Sequence, residues 1–179
     1  YTAIVRTAEA LGIQHFYVIS PPSLDISGRY KRRKDPFPED RRLLEQHIVF
    51  ARNASKWVSL RNFETTADCI AALREEGREI WVTDLSQEAE CLDMNPRFAE
   101  PLAIPERLAI VFGSEAVGVS HTFLAAADKR VYLPLHGFAD SLNLSVAAAL
   151  VLQHIALEVA GDEHAHGILR REFFASRVR

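Results

Sequence analysis

The sequence predicts an α/β fold in which a mostly parallel sheet is flanked by helices. Short β-rich runs alternate along the chain with segments whose apolar residues recur at helical spacing. The run LAIVFG, residues 108–113, is continuously apolar, which is typical of a buried parallel strand. With 179 residues, 48% hydrophobic and 25% charged, the chain has the size and composition of one globular domain, 1–179.

The first helix and the first strand are marked by spacing and by the residues that end them. The apolar face of the helix consists of Ile4, Val5, Ala8 and Leu11. Gly12 stands where a left-handed residue ends a helix. HFYVIS (15–20) is a β-rich run that ends before two prolines, and a basic, proline-containing loop follows to about Pro38. Residues 41–54 then have helical spacing.

The middle of the chain predicts a strand followed by a capped helix. WVSL (57–60) is the strand, and Thr65 and Thr66 are candidate caps of a helix that runs through Glu76. The buried stripe of that helix is predicted at Ile70, Ala71 and Leu73. Gly77 stops it.

The last part of the chain has the most regular pattern. Strands are predicted at 79–85, 108–113 and 130–135, with an irregular segment after the first of them. Helices are predicted at 120–127, capped by Ser120, and at 145–159. Because apolar residues lie all round the last helix, we expect it to be buried on several sides, by the sheet and by another subunit.

Composition excludes several classes of protein. The apolar content excludes a disordered chain, and no stretch approaches the 18 or so uninterrupted apolar residues of a membrane helix. Cys69 and Cys91 are too few for a disulfide framework or a zinc site, so we expect reduced, buried thiols in an intracellular, cytoplasmic protein. The chain begins at Tyr1 inside a helical pattern, so we expect an incomplete N-terminus, which leaves organelle targeting open.

Two basic patches stand on an otherwise acidic chain. Residues 29–42 hold seven Lys/Arg against three Asp/Glu, and residues 169–179 hold four Arg against one Glu. The whole chain nevertheless has a net charge of −3. Such patches are typical of proteins that bind a polyanion such as nucleic acid, and a solvated loop with a frayed tail is the alternative.

A glycine-bearing loop, GSEAVG (113–118), follows the apolar strand. The carboxyl ends of parallel strands are where such sheets bind ligands. The loop is not a P-loop, because Val119 occupies the lysine position, and Glu115 breaks the GxGxxG pattern. A turn that uses glycine only for backbone freedom is the alternative.

A second polar loop lies in LPLHGFADSLNLS (133–145). Ser141 and Asn143 precede the long helix, where they are either helix caps or part of a pocket that faces the first loop. His136 is a candidate for ligand contact. The sequence DEHAH (162–166) resembles a metal cluster, but it follows a helix end and no HExxH or GxSxG motif occurs, so we expect no metal.

Arg6 is the one charged residue among the apolar positions of the first helix. Burying an unpaired guanidinium is very costly, so this side chain must reach water or an anion. A salt bridge, to Glu9 or Glu115 for example, is one outcome. An arginine fork beside a nucleic-acid phosphate is the other.

Together, IVRTAEALG (4–12), VFGSEAVGVS (111–120) and LPLHGFADSLNLSVAAALVL (133–152) resemble the three motifs of the SpoU/TrmH family of the SPOUT superfamily. That resemblance implies S-adenosylmethionine-dependent methylation of RNA ribose 2′-hydroxyls, with no metal. It also implies an α/β-knot fold, in which the C-terminal part of the sheet forms a trefoil knot, and a homodimer whose active site lies at the subunit boundary.

The resemblance also implies roles for individual residues. The catalytic positions are Arg6, Glu115, Ser141 and Asn143. The donor-binding positions are Gly113, Leu133 and Leu142. On this interpretation Arg6 orients a substrate phosphate and the ribose, the polar pair positions substrate and donor, and Glu115 orders Arg6 or the loop.

The chain departs from the family pattern in two places. The family Asn that stands about six residues before the arginine would precede Tyr1. A basic insertion occupies about 23–42, and we expect it to bind RNA through Lys31, Arg32, Arg33 and Lys34. The layout is most similar to the branch that methylates a tRNA D-loop guanosine. An rRNA 2′-O-methyltransferase and a noncatalytic RNA-binding protein are the alternatives.

Overall fold

The computed structural model describes residues 2–19, 58–92, 102–114 and 117–161. Two compact units divide the chain, Tyr1–Cys69 and Ile70–Arg179. The predicted helix at 41–54, the basic insertion at 23–42 and the tail at 169–179 lie outside the described residues. Whether the two units form the single predicted domain stays a prediction.

The first unit begins with helix α1, Thr2–Ala10. The side chains of Ile4, Val5 and Ala8 are buried, as their spacing predicts. Gly12 ends the helix with φ 79°, a left-handed conformation that favours glycine. The predictions for the helix and its stop are therefore confirmed.

Strands β1 (His15–Ile19) and β2 (Ser59–Phe63) form a two-stranded parallel sheet in which His15 pairs with Ser59. The second strand begins two residues later than the predicted 57–60, and that prediction is wrong in its bounds. Most of β2 is exposed, and its Arg61 lies over the ring of Tyr17 with the guanidinium carbon 5.0 Å from the centroid. A strand with so few buried residues leaves no apolar run in the sequence.

Helix α2, Thr66–Glu75, crosses the boundary between the two units. Thr65 caps it, because its hydroxyl accepts the backbone N–H of Asp68 at 3.1 Å. Cys69 and Leu73 are the buried residues of its stripe, whereas Ala71 is exposed, so the prediction for Ala71 is wrong. A one-residue error in the assumed helix phase is enough to turn a small side chain outward.

The second unit contains a four-stranded, all-parallel sheet with the order β4-β6-β3-β5. Its strands are β3 (Glu79–Thr83), β4 (Glu90–Cys91), β5 (Leu108–Val111) and β6 (Lys129–Tyr132). Its helices are α3 (His121–Ala126) and α4 (Leu144–Gly161). The predicted parallel α/β class is confirmed. The knot stays a prediction.

The strands differ from their predicted positions in informative ways. Among the described strands, β3 is central and its middle residues are buried, whereas β5 is the last in the order of its sheet and its residues are only half-buried. Strand β4 is a two-residue strand in the segment predicted to be irregular, and so short a strand carries no periodicity. Strand β6 ends two residues before Pro134, which has no N–H for a sheet hydrogen bond.

The core of the second unit lies between the sheet and α4. Trp81 and Val131 contribute from the two central strands, Leu92 follows β4, and Val151 contributes from the helix. Cys69 is buried as predicted, but Cys91 is only half-buried, on β4, which is the first in the order of the described strands. In the described part of the chain, no helix is long and apolar enough to cross a membrane.

One face of α4 remains exposed. Val146, Leu150 and Leu157 are 46%, 48% and 54% exposed. Their spacing of four and seven residues places them along one stripe. Burial on several sides is therefore wrong for one copy of the described chain, and cover by another subunit stays a prediction.

An ion pair lies at the amino end of the sheet. Arg74 on α2 contacts Asp128 through two hydrogen bonds of 2.6 and 3.0 Å. The same carboxylate accepts the backbone N–H of buried Ile80 at 2.6 Å. The hydrogen bond and charge of Arg74 lower the pKa of Asp128, and those of Asp128 raise the pKa of Arg74.

Candidate active site

A cavity of about 580 Å³ opens at the carboxyl ends of β3, β5 and β6. Three connections and the first turns of α4 form its walls. Its apolar residues include Phe112, Leu133, Leu135, Leu142, Leu144 and Val151, and its polar side chains include Thr83, Asp84, Tyr132, Asp140, Ser141 and Asn143. This is the position where parallel sheets bind ligands.

The loop after β5 closes on itself. The backbones of Ser114 and Gly118 exchange two hydrogen bonds, of 3.0 and 2.9 Å, and Gly118 has φ 68°. A Cβ added at Gly113 would overlap the backbone of Gly118 and of Val119. Glycine is therefore needed at 113 for the turn itself, and the donor contact predicted for it stays a prediction. Glu115 lies outside the described residues.

The loop after β6 brings the other predicted residues to the same cavity. Leu133, Ser141, Leu142 and Asn143 all line it. The Asn143 Oδ1 accepts hydrogen bonds from the Ser145 backbone N–H at 3.0 Å and from the Ser145 hydroxyl at 2.7 Å. Asn143 thus caps α4, and because it also lines the cavity, both interpretations of this residue hold.

Five polar residues of the lining were not among the predicted site residues: Thr83, Asp84, Ser114, Tyr132 and Asp140. The Thr83 hydroxyl donates to the carbonyl of Val111 at 3.1 Å, which ties β3 to β5. The rule that ligands bind at the carboxyl ends of strands would have found Thr83 and Asp84 once β3 was placed beside β5. Asp140 had no signal beyond its place in the polar loop.

Electrostatic contacts connect the cavity to the edge of the sheet. The Asp84 Oδ2 lies 3.8 Å from the Arg130 Nη1, and the same guanidinium nitrogen contacts Glu88 at 2.7 Å. A hydrogen bond with Cys91 raises the pKa of Tyr132. Tyr132 therefore remains a neutral phenol in the cavity wall at physiological pH.

The remaining predicted residues are Arg6, the four basic residues of the insertion and His136. Arg6 is an exposed residue of the first unit, and its place beside the cavity stays a prediction. Lys31, Arg32, Arg33 and Lys34 lie outside the described residues. His136 is exposed and does not belong to the lining, so its predicted contact with a ligand in this cavity is not supported.

The residues present fit a nucleoside-bearing methyl donor. The cavity volume lies within the roughly 300–1,000 Å³ that small-ligand sites occupy. Its apolar walls suit the flat face of a base, and its polar side chains can exchange hydrogen bonds with sugar and amino-acid groups. The lining carries acidic rather than basic side chains among the described residues, which matches a cationic donor.

Comparisons with known proteins agree with this geometry. A relative from Borreliella burgdorferi named tRNA (guanosine(18)-2'-O)-methyltransferase is 30% identical over 158 residues, which cover 88% of this chain and 61% of that protein. The solved A. aeolicus TrmH/SpoU tRNA modifying enzyme has a TM-score of 0.61 at 23% identity, covering 98% of this chain and 81% of that one.

An AdoMet-bound rRNA methyltransferase from Sinorhizobium meliloti has a TM-score of 0.62 at 21% identity, covering 88% of this chain and 51% of that one. The match to the Borreliella relative spans only about three-fifths of the length of that protein. The model of the SpoU rRNA Methylase family matches residues 38–153, well over half of the sequence. The chain belongs to the SpoU rRNA Methylase family.

Proposed function

We propose that the protein transfers a methyl group from S-adenosylmethionine to a ribose 2′-hydroxyl of RNA, with a tRNA D-loop guanosine as the favoured target. The cavity at the carboxyl ends of β3, β5 and β6 carries this proposal, because both motif loops contribute to one lining. The Borreliella relative is named for guanosine 18 of tRNA, which supports tRNA over rRNA. The family description names rRNA, which keeps an rRNA target as the second candidate.

When bound, the donor supplies a methyl group on a positively charged sulfur. The ribose oxygen forms the new bond to carbon, the bond from carbon to sulfur breaks, and the hydroxyl proton passes to solvent or to a substrate phosphate. This chemistry needs no metal, because the sulfonium is already an activated leaving group. The protein contributes orientation, exclusion of water and stabilisation of the charge that develops on oxygen.

Arg6 orients the substrate phosphate and ribose in this proposal and stabilises the developing oxyanion. Its exposed side chain is accessible to RNA. A role as a neutral base is physically costly, because lowering an arginine pKa from above 12 to near 7 requires about 7 kcal/mol. Arg6 therefore acts as a charged group that keeps its proton.

Ser141 and Asn143 position substrate and donor. The cap hydrogen bonds from Ser145 to Asn143 fix the loop relative to α4, so the loop backbone is preorganised where Leu133 and Leu142 face the donor. Glu115 orders Arg6 or the first loop.

The partners of the protein follow from the same proposal. A second copy of the chain covers the exposed stripe of Val146, Leu150 and Leu157, because an apolar stripe on a helix is stabilised by burial. The basic insertion, through Lys31, Arg32, Arg33 and Lys34, adds contacts to RNA phosphates. The predicted cytoplasmic location is consistent with a tRNA substrate.

The decisive experiment incubates the protein with labelled donor and with tRNA or rRNA transcripts, and maps the ribose-methylated nucleotide. We expect label on a tRNA D-loop guanosine. Label on rRNA alone would select the second candidate. No donor binding by calorimetry, together with no transfer to any RNA, would select the noncatalytic alternative.

Two sets of variants test the assigned residues. Arg6→Ala should lower transfer at least about 100-fold while donor binding stays unchanged, since Arg6 acts on the RNA phosphate and ribose and on the charge that develops in the transition state, and not on the donor. Arg107→Gln is the matched control, because its guanidinium donates to the Glu76 carbonyl at the amino end of the sheet. Full transfer by Arg6→Ala would overturn the assignment.

The second set neutralises Lys31, Arg32, Arg33 and Lys34 together. RNA affinity should fall, and the dependence of the affinity on salt should become shallower, because fewer counterions are released. An unchanged salt slope would dismiss the insertion as an RNA contact.

A further inference from the structure

The charged side chains of the cavity lining are of one sign. Within the described part of the chain, the lining contains Asp84 and Asp140 and neither lysine nor arginine. Asp84 follows β3 and Asp140 follows β6, so the two carboxylates come from different connections. A cavity with apolar walls keeps such charges less screened than an open surface does.

Asp84 is only partly neutralised by its neighbours. Its Oδ2 lies 3.8 Å from the Arg130 Nη1, too far for a good hydrogen bond, and the same nitrogen contacts Glu88 at 2.7 Å. One guanidinium is thus shared by two carboxylates, and the group of three has a formal charge of −1. The Asp84 Oδ1 accepts its hydrogen bond from the backbone N–H of Leu85 at 2.9 Å, which fixes the carboxylate in place.

We propose that Asp84, with Asp140, makes the cavity select the charged methyl donor over its demethylated product. This inference rests on the proposed function. The donor carries a sulfonium, whereas S-adenosylhomocysteine carries a neutral thioether in the same scaffold. Contacts to the base, the sugar and the amino acid are common to both ligands, so the ratio of their affinities isolates the effect of one positive charge.

This selection acts on product release. Once the methyl group leaves, the sulfur loses its positive charge and with it the attraction of the two carboxylates. The product then binds more weakly than the donor, so a fresh donor displaces it. A site that held both ligands only through backbone groups and apolar contacts would bind them about equally.

Calorimetric titration of the full chain with S-adenosylmethionine and with S-adenosylhomocysteine tests this proposal. For Asp84→Asn we expect donor affinity to fall about fivefold, about 1 kcal/mol, while product affinity changes less than about twofold. Asp140→Asn should act in the same direction and more weakly, because Asp140 belongs to an exposed loop. Sinefungin, which carries an ammonium-bearing carbon in place of the sulfonium, should lose affinity together with the donor.

Two further variants distinguish the effect of the Asp84 charge on ligand affinity from the effect of damage to the fold. Glu90→Gln makes the same change in net charge, but Glu90 pairs with Lys129 and is not in the described lining of the cavity. This variant should therefore leave the ratio of donor to product affinity unchanged. Arg130→Gln removes the partner of Asp84 and should raise the ratio of donor to product affinity. A general loss of structure cannot produce that opposite change.

Each outcome decides the proposal. Equal losses of donor and product affinity in Asp84→Asn would overturn it, and so would an unchanged ratio in both Asp84→Asn and Arg130→Gln. If the unmodified protein binds neither ligand, the proposed function fails instead. The two failures are therefore distinguishable.

Discussion

The two ends of the four-stranded sheet are built in opposite ways. At the amino end, Arg74 and Asp128 satisfy each other, and Asp128 also holds the backbone N–H of buried Ile80. At the carboxyl end, the connections diverge around a cavity of about 580 Å³. These polar groups at the amino end form hydrogen bonds with one another, whereas several polar side chains at the carboxyl end line the cavity.

This difference separates residues that stabilise the fold from residues available to a ligand. Side chains that complete each other's hydrogen bonds contribute to the free energy of unfolding and offer a ligand nothing. Side chains on a cavity wall contribute less to stability and more to binding. Substitutions at the amino end should therefore change stability alone, whereas substitutions at the carboxyl end should also change donor affinity.

We expect the largest effect from Gly113→Ala at the carboxyl end. The new Cβ would overlap the backbone of Gly118 and of Val119, where no flexible side chain can move aside. The loop must then open, which should cost about 2–3 kcal/mol of stability and lower donor affinity at least about tenfold. Urea unfolding and donor calorimetry measure the two effects.

Gly137→Ala is the matched control for that loop variant. Gly137 belongs to the other motif loop, and a Cβ added there meets nothing within 4 Å. Its stability should stay within about 0.5 kcal/mol of the parent. Equal losses in both variants would mean that close packing at Gly113 has no special role.

Asp128→Ala should give the next largest effect and should be confined to stability. It removes the partner of Arg74 and leaves the buried N–H of Ile80 without its acceptor, which should cost about 2 kcal/mol. Asp128→Asn keeps an oxygen that can accept from Ile80 and loses only the half-exposed ion pair, so about 1 kcal/mol is expected. Donor affinity should change less than about twofold in both, and a larger change would contradict the separation of the two ends.

The pH dependence of stability should report the same ion pair. Because Arg74 lowers the pKa of Asp128 in the folded state, the contribution of the pair is present above the ordinary carboxyl pKa of about 4. It is lost as the pH falls through the lower, folded-state value. The stability difference between the parent and Asp128→Asn should therefore shrink below about pH 4 in urea unfolding, and a difference that persists or grows there would exclude the ion pair as its source.

Much of this architecture could be predicted from local pattern. Apolar runs located β3, β5 and β6, and Gly12 and Gly77 marked helix ends because both adopt positive φ. Strand β4 and the bounds of β2 could not be predicted, since a two-residue strand and a mostly exposed strand carry no apolar period. Their positions are set by pairing with residues far away in the chain.

The residues of the candidate site also fall into two groups, those that a local pattern predicts and those that only the strand order brings together. Ser141 and Asn143 could be found because they belong to a recognisable loop before a helix, and they line the cavity. Asp84 and Tyr132 reach the same cavity only because β3, β5 and β6 are neighbours in the sheet, and strand order is not written in any local pattern. The exposed stripe on α4 likewise emerges only once the sheet covers the opposite face.

The smallest effect is expected at α3, which connects the two ends. Ser120 caps this helix through a hydrogen bond of 3.4 Å from the Phe123 N–H, so Ser120→Ala should cost about 0.5–1 kcal/mol. Ser120→Asp should retain the cap, and Thr122→Ala, at an exposed position of α3, is the control. Because Ser120 follows the Gly118 turn directly, fraying of the helix should also lower donor affinity, by no more than about twofold. A tenfold loss of donor affinity at unchanged stability would place Ser120 in the site and move the boundary between the two ends into α3.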